Sequence, residues 1–523
     1  MPQKKLILNL NNKIIVFFLA ILAFFVNYHY GFIGMMPMDN TVLFNGGYRV
    51  LNGYTPFNDY WLVTGPLLDY LNAFFFKLFG ISWSTFIIHS STFNLILAVA
   101  SYYFFKKMSL PETFSFIYSL LISILFYPVV GTPFVDHHST FFMILSFYGL
   151  ILAIKTHNNN YFIYLPIFLC LSFLSKQTPA AYGIITISIF IVTISTFYKK
   201  KGTDILLKSI IGTFIALVFL VLFFLTTKIN INEFFQQYIM YASSIGELRL
   251  NNYDFNLLNE IIKYKFVSVF LIFLVSVLVK SKIKKSLNLD DFFIVLICIS
   301  FSAILVLHQV ISLNQNFIFF LIPFLCGIFH SYYKKVFNIN YLLVTAILIC
   351  FYASGKYHLR FNEERKFNEL ENIDISKSID AKIIDKKLNG LMWITYLNPN
   401  NPGKEMNNLL EAMSIFKNEK NNKMLITEYQ VISPILGVYD NSPNQWHHPS
   451  VSFPLRGNKY FRKYQEYFIS KIKKKNINTI FETREDDKII IALLLNEECF
   501  IKKERLGNML IKIKLNLSCE ELK

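Results

Sequence analysis

Eleven apolar segments, most of them long enough to cross a lipid bilayer, constrain this chain more than any other feature. The hydrocarbon core of a bilayer is about 30 Å thick, so a spanning helix needs about 17 to 25 largely apolar residues. The segments lie near 14–30, 82–105, 113–131, 138–155, 161–175, 179–198, 205–227, 266–280, 291–311, 316–333 and 339–354. This pattern predicts a polytopic α-helical membrane protein with about 11 transmembrane helices.

Charged residues are concentrated beyond these segments. The 523 residues are 54% hydrophobic and only 16% charged, which excludes a soluble cytosolic enzyme. However, 50 of the 85 Lys, Arg, Asp and Glu residues follow Ser354. We therefore expect a membrane domain over residues 1–354 and a soluble domain over residues 355–523.

The second of these domains shows alternating strand and helix patterns, which indicate an α/β domain. The candidate strands are 391–396, 423–428, 479–482 and 509–513, and helical stretches lie near 403–418, 459–475 and 486–496. Four lysines end the second helical stretch, namely Lys471, Lys473, Lys474 and Lys475. A solvated helix face explains them better than contact with lipid phosphates.

The orientation of the chain follows from its basic residues, because loops on the cytoplasmic side of a membrane protein are enriched in Lys and Arg. Alternate loops carry 16 basic residues on one side, including the N-terminus, and 7 on the other side. We expect a cytoplasmic N-terminus in the inner (plasma) membrane and an extracytoplasmic C-terminal domain. The net charge is +17, but the basic residues of the membrane domain lie in short clusters between apolar segments, so nucleic acid is not an expected partner.

Acidic residues show the complementary asymmetry. Four carboxylates on the cytoplasmic side stand at the starts of predicted spans, where the helix dipole favours them. The other eight in the membrane domain fall on the outer side: Asp39, Asp59, Asp69, Asp136, Glu233, Glu247, Asp254 and Glu260. A concentration of acids at one interface predicts that the protein acts there.

The first outer loop, residues 31–81, carries the most specific motif. Asp39 follows the first span, the turn Gly53-Tyr54-Thr55-Pro56-Phe57-Asn58-Asp59 comes next, and Gly65-Pro66-Leu67 leads an apolar surface segment that ends at Leu78-Phe79-Gly80. This pattern resembles the first outer loop of membrane-embedded GT-C glycosyltransferases, in the branch of aminoarabinose transferases and protein O-mannosyltransferases. The motif likeness covers about forty residues, and the likeness in topology covers the membrane domain.

The resemblance implies a GT-C-like fold and transfer of a sugar from a polyprenyl-phosphate carrier to a lipid, glycan or protein acceptor. It implies that Asp39 is the catalytic base, whereas a helix N-cap is the alternative role of that residue. Relatives often have a second acid beside this one, and here the neighbour is Asn40. No cofactor is expected to be required; a divalent cation is left open, and no metal ligand set is assigned.

Other candidate substrate-binding residues lie on the same outer side. Lys176 could hold the carrier phosphate or be an ordinary interfacial lysine, and Asp136 could line the site or cap a helix. The remaining candidates are Tyr48 and Asp59 in the first loop, His137 beside Asp136, and His308 in a polar outer turn with Gln309, Asn314, Gln315 and Asn316. Adjacent histidines point to different faces, so His137 and His138 do not predict a joint metal site.

Three rival functions share part of this pattern. A lipid-linked glycan polymerase or ligase would have the same topology. A lipid or sugar transporter is disfavoured because we assign no ionisable residue to the middle of a span. The location of the acidic residues on one side of the membrane argues against a purely structural membrane protein.

Cys499 and Cys519 could pair outside the cell, but two free thiols are the favoured interpretation.

Overall fold

The computed structural model of the protein describes residues 2–251, 253, 256–312, 317–337, 340–483 and 489–522. Asp254, the turn residues Asn314, Gln315 and Asn316, and residues 486–488 of the last predicted helix lie outside this part. The structure is mostly helical, at 69%.

Sixteen helices precede the C-terminal segment in the described residues. They are α1 (Pro2–Tyr30), α2 (Pro37–Leu51), α3 (Leu67–Phe79), α4 (Trp83–Lys107), α5 (Glu112–Ile124), α6 (Val135–Thr156), α7 (Tyr161–Ser175), α8 (Gln177–Phe197), α9 (Lys199–Thr227), α10 (Ile231–Phe234), α11 (Ala242–Asn251), α12 (Leu257–Lys263), α13 (Lys265–Ile283), α14 (Leu289–Ser312), α15 (Leu321–Val336) and α16 (Asn340–His358).

Nine helices within the described residues are long and apolar enough to cross a membrane. They are α1, α4, α5 together with the turn that follows it (Glu112–Val129), α6, α8, α9, α13, α14 and α16. The shorter apolar helices α7 and α15 stand at the two remaining predicted segments, so a helix lies at every predicted position. The polytopic helical character is confirmed, while the number of crossings stays a prediction.

Burial differs strongly among these helices. In α6, 78% of the apolar stretch is buried, whereas in α9 the fraction is 11%. Helix α6 is therefore enclosed by neighbouring helices, and α9 exposes apolar side chains over most of its surface, as a lipid-facing helix does. The enclosed helix α6 carries the candidate residue Asp136 at its N-terminal end.

The chain forms two compact units that are discontinuous in sequence. Unit 1 contains Met1–Gly31, Ile87–Leu222 and Arg249–Phe367, and unit 2 contains Phe32–Phe86, Phe223–Leu248 and Asn368–Lys523. The sequence analysis divided the chain once, after residue 354. In the structure, the first long loop belongs to the same unit as the C-terminal segment.

The C-terminal segment adds helices α17 (Pro402–Asn418), α18 (Ile432–Leu436) and α19 (Phe461–Lys474). Its strands are β1 (Ile379–Asp380), β2 (Met392–Trp393), β3 (Lys423–Ile426), β4 (Thr479–Thr483), β5 (Phe500–Leu506) and β6 (Leu510–Leu515). Strands β1 and β2 pair with each other, and the four-stranded sheet has the order β3-β4-β6-β5. Within it, β3 and β4 are parallel and the other pairs are antiparallel.

Burial explains which strand predictions hold. Every residue of β4 is buried, because the strand lies between β3 and β6, and it forms where the sequence predicts a strand, at 479–482. Strand β5 is an edge strand with mostly charged residues, so the apolar pattern missed it. The strand predicted at 391–396 is only the two-residue β2. The helix predicted near 486–496 is wrong in its described part, which holds only the short turn Ile491–Leu493.

The cysteine expectation is also wrong. Cys499 and Cys519 form a disulfide, with their Cα atoms 5.2 Å apart. Cys499 directly precedes β5, and Cys519 follows β6. The antiparallel pairing of these strands brings the two cysteines together, which sequence separation alone did not indicate.

Candidate functional site

Asp39 belongs to the first turn of α2 in unit 2. The helix begins at Pro37 with Met36 as its N-cap residue, and the side chain of Asn40 accepts a hydrogen bond from the Met36 amide at 2.7 Å. Asp39 is therefore not the N-cap residue of α2, which was the alternative to its predicted role as catalytic base. Asp39 is half-buried and lies in the first turn of α2, near the positive end of the helix dipole.

Other acidic residues share the surroundings of Asp39. Burial, and after it the charges of Glu428, Glu369, Asp39 and Glu405, together raise the pKa of Tyr396 to about 12. The segment that follows β3 approaches α2 through Thr41, whose hydroxyl oxygen accepts a hydrogen bond from the Gln430 amide at 3.0 Å and lies 3.2 Å from the Glu428 carbonyl oxygen. The segment that carries Glu428 is thus fixed beside the helix that carries Asp39.

Two glycines of the first outer loop, Gly46 and Gly47, allow close packing of helices. A Cβ atom on Gly46 would lie 2.1 Å from Asp69 Oδ1, and one on Gly47 would lie 2.5 Å from the Cβ of Asn72. Asp69 is buried and accepts hydrogen bonds from the Tyr60 hydroxyl at 2.7 Å and from Gln445 Nε2 at 2.8 Å. Close contact between α2 and α3 therefore requires residues without side chains on α2.

Burial is the main reason why the pKa of Asp69 rises to about 7, and its two hydrogen bonds and Arg49 oppose the shift. Arg49 itself is buried and pairs with Asp440, with 2.7 Å between Nη2 and Oδ2. The sequence analysis did not single out Arg49 or Asp440. These buried charges hold the first loop to the C-terminal segment within unit 2.

The other two first-loop candidates have local contacts of their own. Asp59 accepts a hydrogen bond from the Thr55 amide at 2.9 Å and so closes the turn around Pro56. Tyr48 is buried, and its ring centroid lies 6.3 Å from that of Tyr439. The named contacts connect neither residue directly to Asp39.

Unit 1 brings together three candidates that the sequence analysis treated one by one. Lys176 Nζ lies 2.7 and 2.8 Å from the two carboxylate oxygens of Asp136, and His308 Nε2 lies 2.7 Å from Asp136 Oδ1. Asp136 is the second residue of α6, Lys176 connects α7 to α8, and His308 lies near the C-terminal end of α14. The N-cap residue of α6 is Phe134, so Asp136 is not the cap of this helix.

Burial differs between the members of this cluster. The side chains of Asp136 and His308 are 1% exposed, whereas that of Lys176 is 18% exposed. An ammonium group has three hydrogens, and contact with one carboxylate leaves it able to donate to a further acceptor. The Lys176 side chain is therefore partly accessible, whereas the Asp136 carboxylate is enclosed.

Arg249 also interacts electrostatically with the cluster of Asp136, Lys176 and His308, although the sequence analysis counted it only as a basic residue of a loop. Its Nη1 donates to the Ser312 carbonyl, at the end of α14, at 3.1 Å. Burial lowers the pKa of the Arg249 guanidinium, and the negative charge of Asp136 opposes this shift. The signal available in the sequence was a basic residue on the side of the membrane that has few of them.

His137 and His138 make separate contacts, as expected. His137 Nε2 donates to the Phe126 carbonyl at 3.2 Å. His138 Nδ1 donates to the Phe134 carbonyl, so its neutral Nε2 is an acceptor for His89 Nε2, 3.1 Å away. His89 was missed by the sequence analysis because it lies within an apolar segment. Among the described residues, no group of three His, Cys, Asp or Glu side chains is arranged to hold a metal ion.

Comparisons with known proteins leave the family open. No protein-family model matches the chain, and no curated protein shows significant sequence similarity to it. The functional argument therefore rests on the residues and their geometry.

Proposed function

We propose that this protein is a GT-C-type glycosyltransferase that moves a sugar from a polyprenyl-phosphate donor to a lipid, glycan or protein acceptor at the outer face of the plasma membrane. The observation that carries the proposal is the Asp136–Lys176–His308 cluster in unit 1. The first-loop motif of unit 2, with Asp39 half-buried at a helix start, supports it independently.

The cluster has the charge needed to bind a lipid-linked phosphate. Lys176 and Arg249 carry two positive charges against the single carboxylate of Asp136, even when His308 is neutral. Asp136 fixes the Lys176 ammonium, so less freedom is lost when that ammonium meets an anion. Charge-assisted hydrogen bonds to phosphate oxygens are among the stronger polar contacts in proteins. We assign Lys176 and Arg249 to the phosphate, and Asp136 and His308 to positioning.

Asp39 is the proposed base. The acceptor hydroxyl attacks the anomeric carbon, a new C–O bond forms, and the bond from that carbon to the phosphate oxygen breaks. The Asp39 carboxylate takes the hydroxyl proton, and the polyprenyl phosphate leaves with the bonding electron pair. This reaction consumes no nucleotide, because the phosphate ester already activates the sugar.

The test is release of polyprenyl phosphate from a panel of polyprenyl-phosphate sugars by the full chain in lipid nanodiscs, with membrane lipid extract as acceptor. Asp39→Asn should lower turnover by two or more orders of magnitude. Glu247→Gln is the matched control, because Glu247 is an exposed carboxylate of the same unit, and it should keep full turnover.

Two outcomes would contradict the proposal. Turnover that survives Asp39→Asn would assign the base to another residue. Absence of turnover with every donor, together with movement of sugar or lipid across the bilayer, would favour a transporter.

A further inference from the structure

The end of α19 in unit 2 holds a lysine in unusual surroundings. Lys475 is partly buried, and its Nζ donates to the Tyr54 hydroxyl at 3.2 Å and to Asn441 Oδ1 at 3.1 Å. In the part of the chain that the structure describes, no carboxylate forms an ion pair with it. The sequence analysis expected a solvated lysine at this position, and the structure instead places it against the first loop.

The charged groups near Lys475 influence it, but its direct hydrogen-bond partners are neutral. Burial lowers the pKa of Lys475; the charges of Asp440 and Asp59 oppose this shift, and those of Arg49 and Lys471 add to it. Asp440 already forms the buried ion pair with Arg49. A cation held only by neutral oxygens gains from a bound anion, because the anion compensates for the water lost on burial.

An aromatic surface adjoins this lysine. The ring centroids of Tyr439 and Tyr54 are 4.7 Å apart, and Lys475 Nζ lies 4.6 Å from the Tyr54 centroid. Tyr439 is 40% exposed, although its hydroxyl donates to the Asn52 carbonyl at 3.4 Å and Tyr48 lies beside it. The ring is thus fixed on one side while part of its surface is open.

The backbone explains how Tyr439 reaches this position. Helix α18 ends at Leu436, and the next residue, Gly437, has a positive φ of 65° in the left-handed region. Glycine adopts this conformation at little cost, and the chain leaves the helix two residues before Tyr439. Asn441 also has a positive φ, of 53°, and its side chain donates to the Lys423 carbonyl at 2.8 Å.

We propose that Tyr439, Tyr54 and Lys475 form a binding site for a sugar ring that carries a negative charge, either a carboxylate or a phosphate. The ring would lie against Tyr439, since an aromatic face provides flat apolar contact with amphipathic groups. The anionic substituent would contact the Lys475 ammonium. This role as part of the acceptor site rests on the proposed function, but binding itself does not.

The alternative is that Lys475 only attaches α19 to the first loop. In that case the exposed ring of Tyr439 has no function, and replacing it affects nothing beyond local packing. Binding measurements separate the two alternatives without any catalytic turnover. Their failure would therefore leave the proposed transferase activity untouched.

The experiment is saturation-transfer NMR on the full chain in nanodiscs, with methyl β-glucuronide, glucose 6-phosphate and neutral methyl β-glucoside as probes. We expect one or both anionic sugars to bind at least tenfold more tightly than the neutral one. The stronger anionic probe identifies the charged substituent.

Variants assign the binding to this site. Tyr439→Ala and Lys475→Gln should each weaken binding at least tenfold, whereas Tyr439→Phe should keep it, because the ring remains. Lys474→Gln is the matched control, as Lys474 is exposed one residue away. Absence of binding by either anionic sugar, equal binding of the neutral sugar, or unchanged binding in the first two variants would overturn the proposal.

Discussion

The Lys176 ammonium contacts both carboxylate oxygens of Asp136, at 2.7 and 2.8 Å, although the two residues are 40 positions apart in the chain. The same carboxylate accepts a hydrogen bond from His308, which is 172 positions away. A single buried carboxylate therefore holds a lysine from the connection between two helices and a histidine from a third.

Asp136→Asn and Lys176→Gln should have different consequences. Removing the carboxylate leaves Lys176 and His308 without a counter-charge, and breaking a buried pair from one side costs about 3–5 kcal/mol. Removing the lysine leaves Asp136 with His308, so we expect the smaller loss of stability. Thermal melting in detergent micelles measures both, and equal melting temperatures would contradict this account.

The same variants separate binding from folding in the donor assay. Lys176→Gln should lower turnover by two or more orders of magnitude in folded protein, and Lys176→Arg should retain part of it, since the charge remains. Lys77→Gln, at an exposed lysine of α3, serves as the control. Full turnover by Lys176→Gln would remove this residue from the phosphate site.

Asp69 predicts a dependence of stability on pH. Its pKa is about 7 in the folded protein, above the ordinary value of 3.8, so the folded state binds this proton more tightly than the unfolded state does. The stabilising contribution is complete below the unfolded pKa and is lost as the pH rises through about 7. A shift of this size corresponds to roughly 4 kcal/mol.

Melting temperatures between pH 4 and pH 8 test this prediction. The wild-type protein should lose stability across that range, and Asp69→Asn should lose less, because the amide does not ionise. An identical pH dependence in the two proteins would show that Asp69 is not the responsible group.

Two glycine substitutions should act in opposite directions. Gly46→Ala places a methyl group 2.1 Å from Asp69 Oδ1 and 2.3 Å from Gln445 Nε2, and overpacking of this kind costs about 1–3 kcal/mol. Gly246 also lies in a helix, and a Cβ atom there has no neighbour within 4 Å. Gly246→Ala should therefore stabilise slightly, by about 0.5–1 kcal/mol, through helix propensity. Thermal melting distinguishes the signs, and a stabilising Gly46→Ala would contradict the close contact of α2 and α3.

The Cys499–Cys519 disulfide gives a test that also addresses the side of the membrane. The bond closes a loop across 20 positions, so Cys499→Ser should destabilise the protein by about 3 kcal/mol. Disulfides persist in oxidising compartments, which agrees with an extracytoplasmic C-terminal segment. Alkylation of cell-derived protein before and after reduction counts the protected thiols. Labelling of Cys499 and Cys519 without reduction would contradict both the bond and this location.

The helices of the membrane segments could be predicted from the sequence because length and apolar composition are local properties. A helix lies at all eleven predicted positions. Strands β3, β4 and β6 likewise form where the sequence predicts strands. The edge strand β5 was not, because its residues are mostly charged and only its pairing with β6 identifies it.

The candidate residues show the same limit more sharply. Asp39, Asp136, Lys176 and His308 could be selected by residue type and by their position next to apolar segments. Their partners could not, since nothing in the local sequence connects Asp136 with His308 or Arg49 with Asp440. His89, Arg249 and Lys475 became candidates only through contacts made by distant segments.

The sequence by itself determined the helical membrane-type architecture, the direction in which charges are distributed and the first-loop motif, since each depends on composition over a few turns of chain. The tertiary structure decided which charges are paired and that Asp69 packs directly against Gly46. It also decided that residues 32–86 fold together with the C-terminal segment. Such pairings depend on which distant surfaces pack together, because burial penalises any charge that finds no partner.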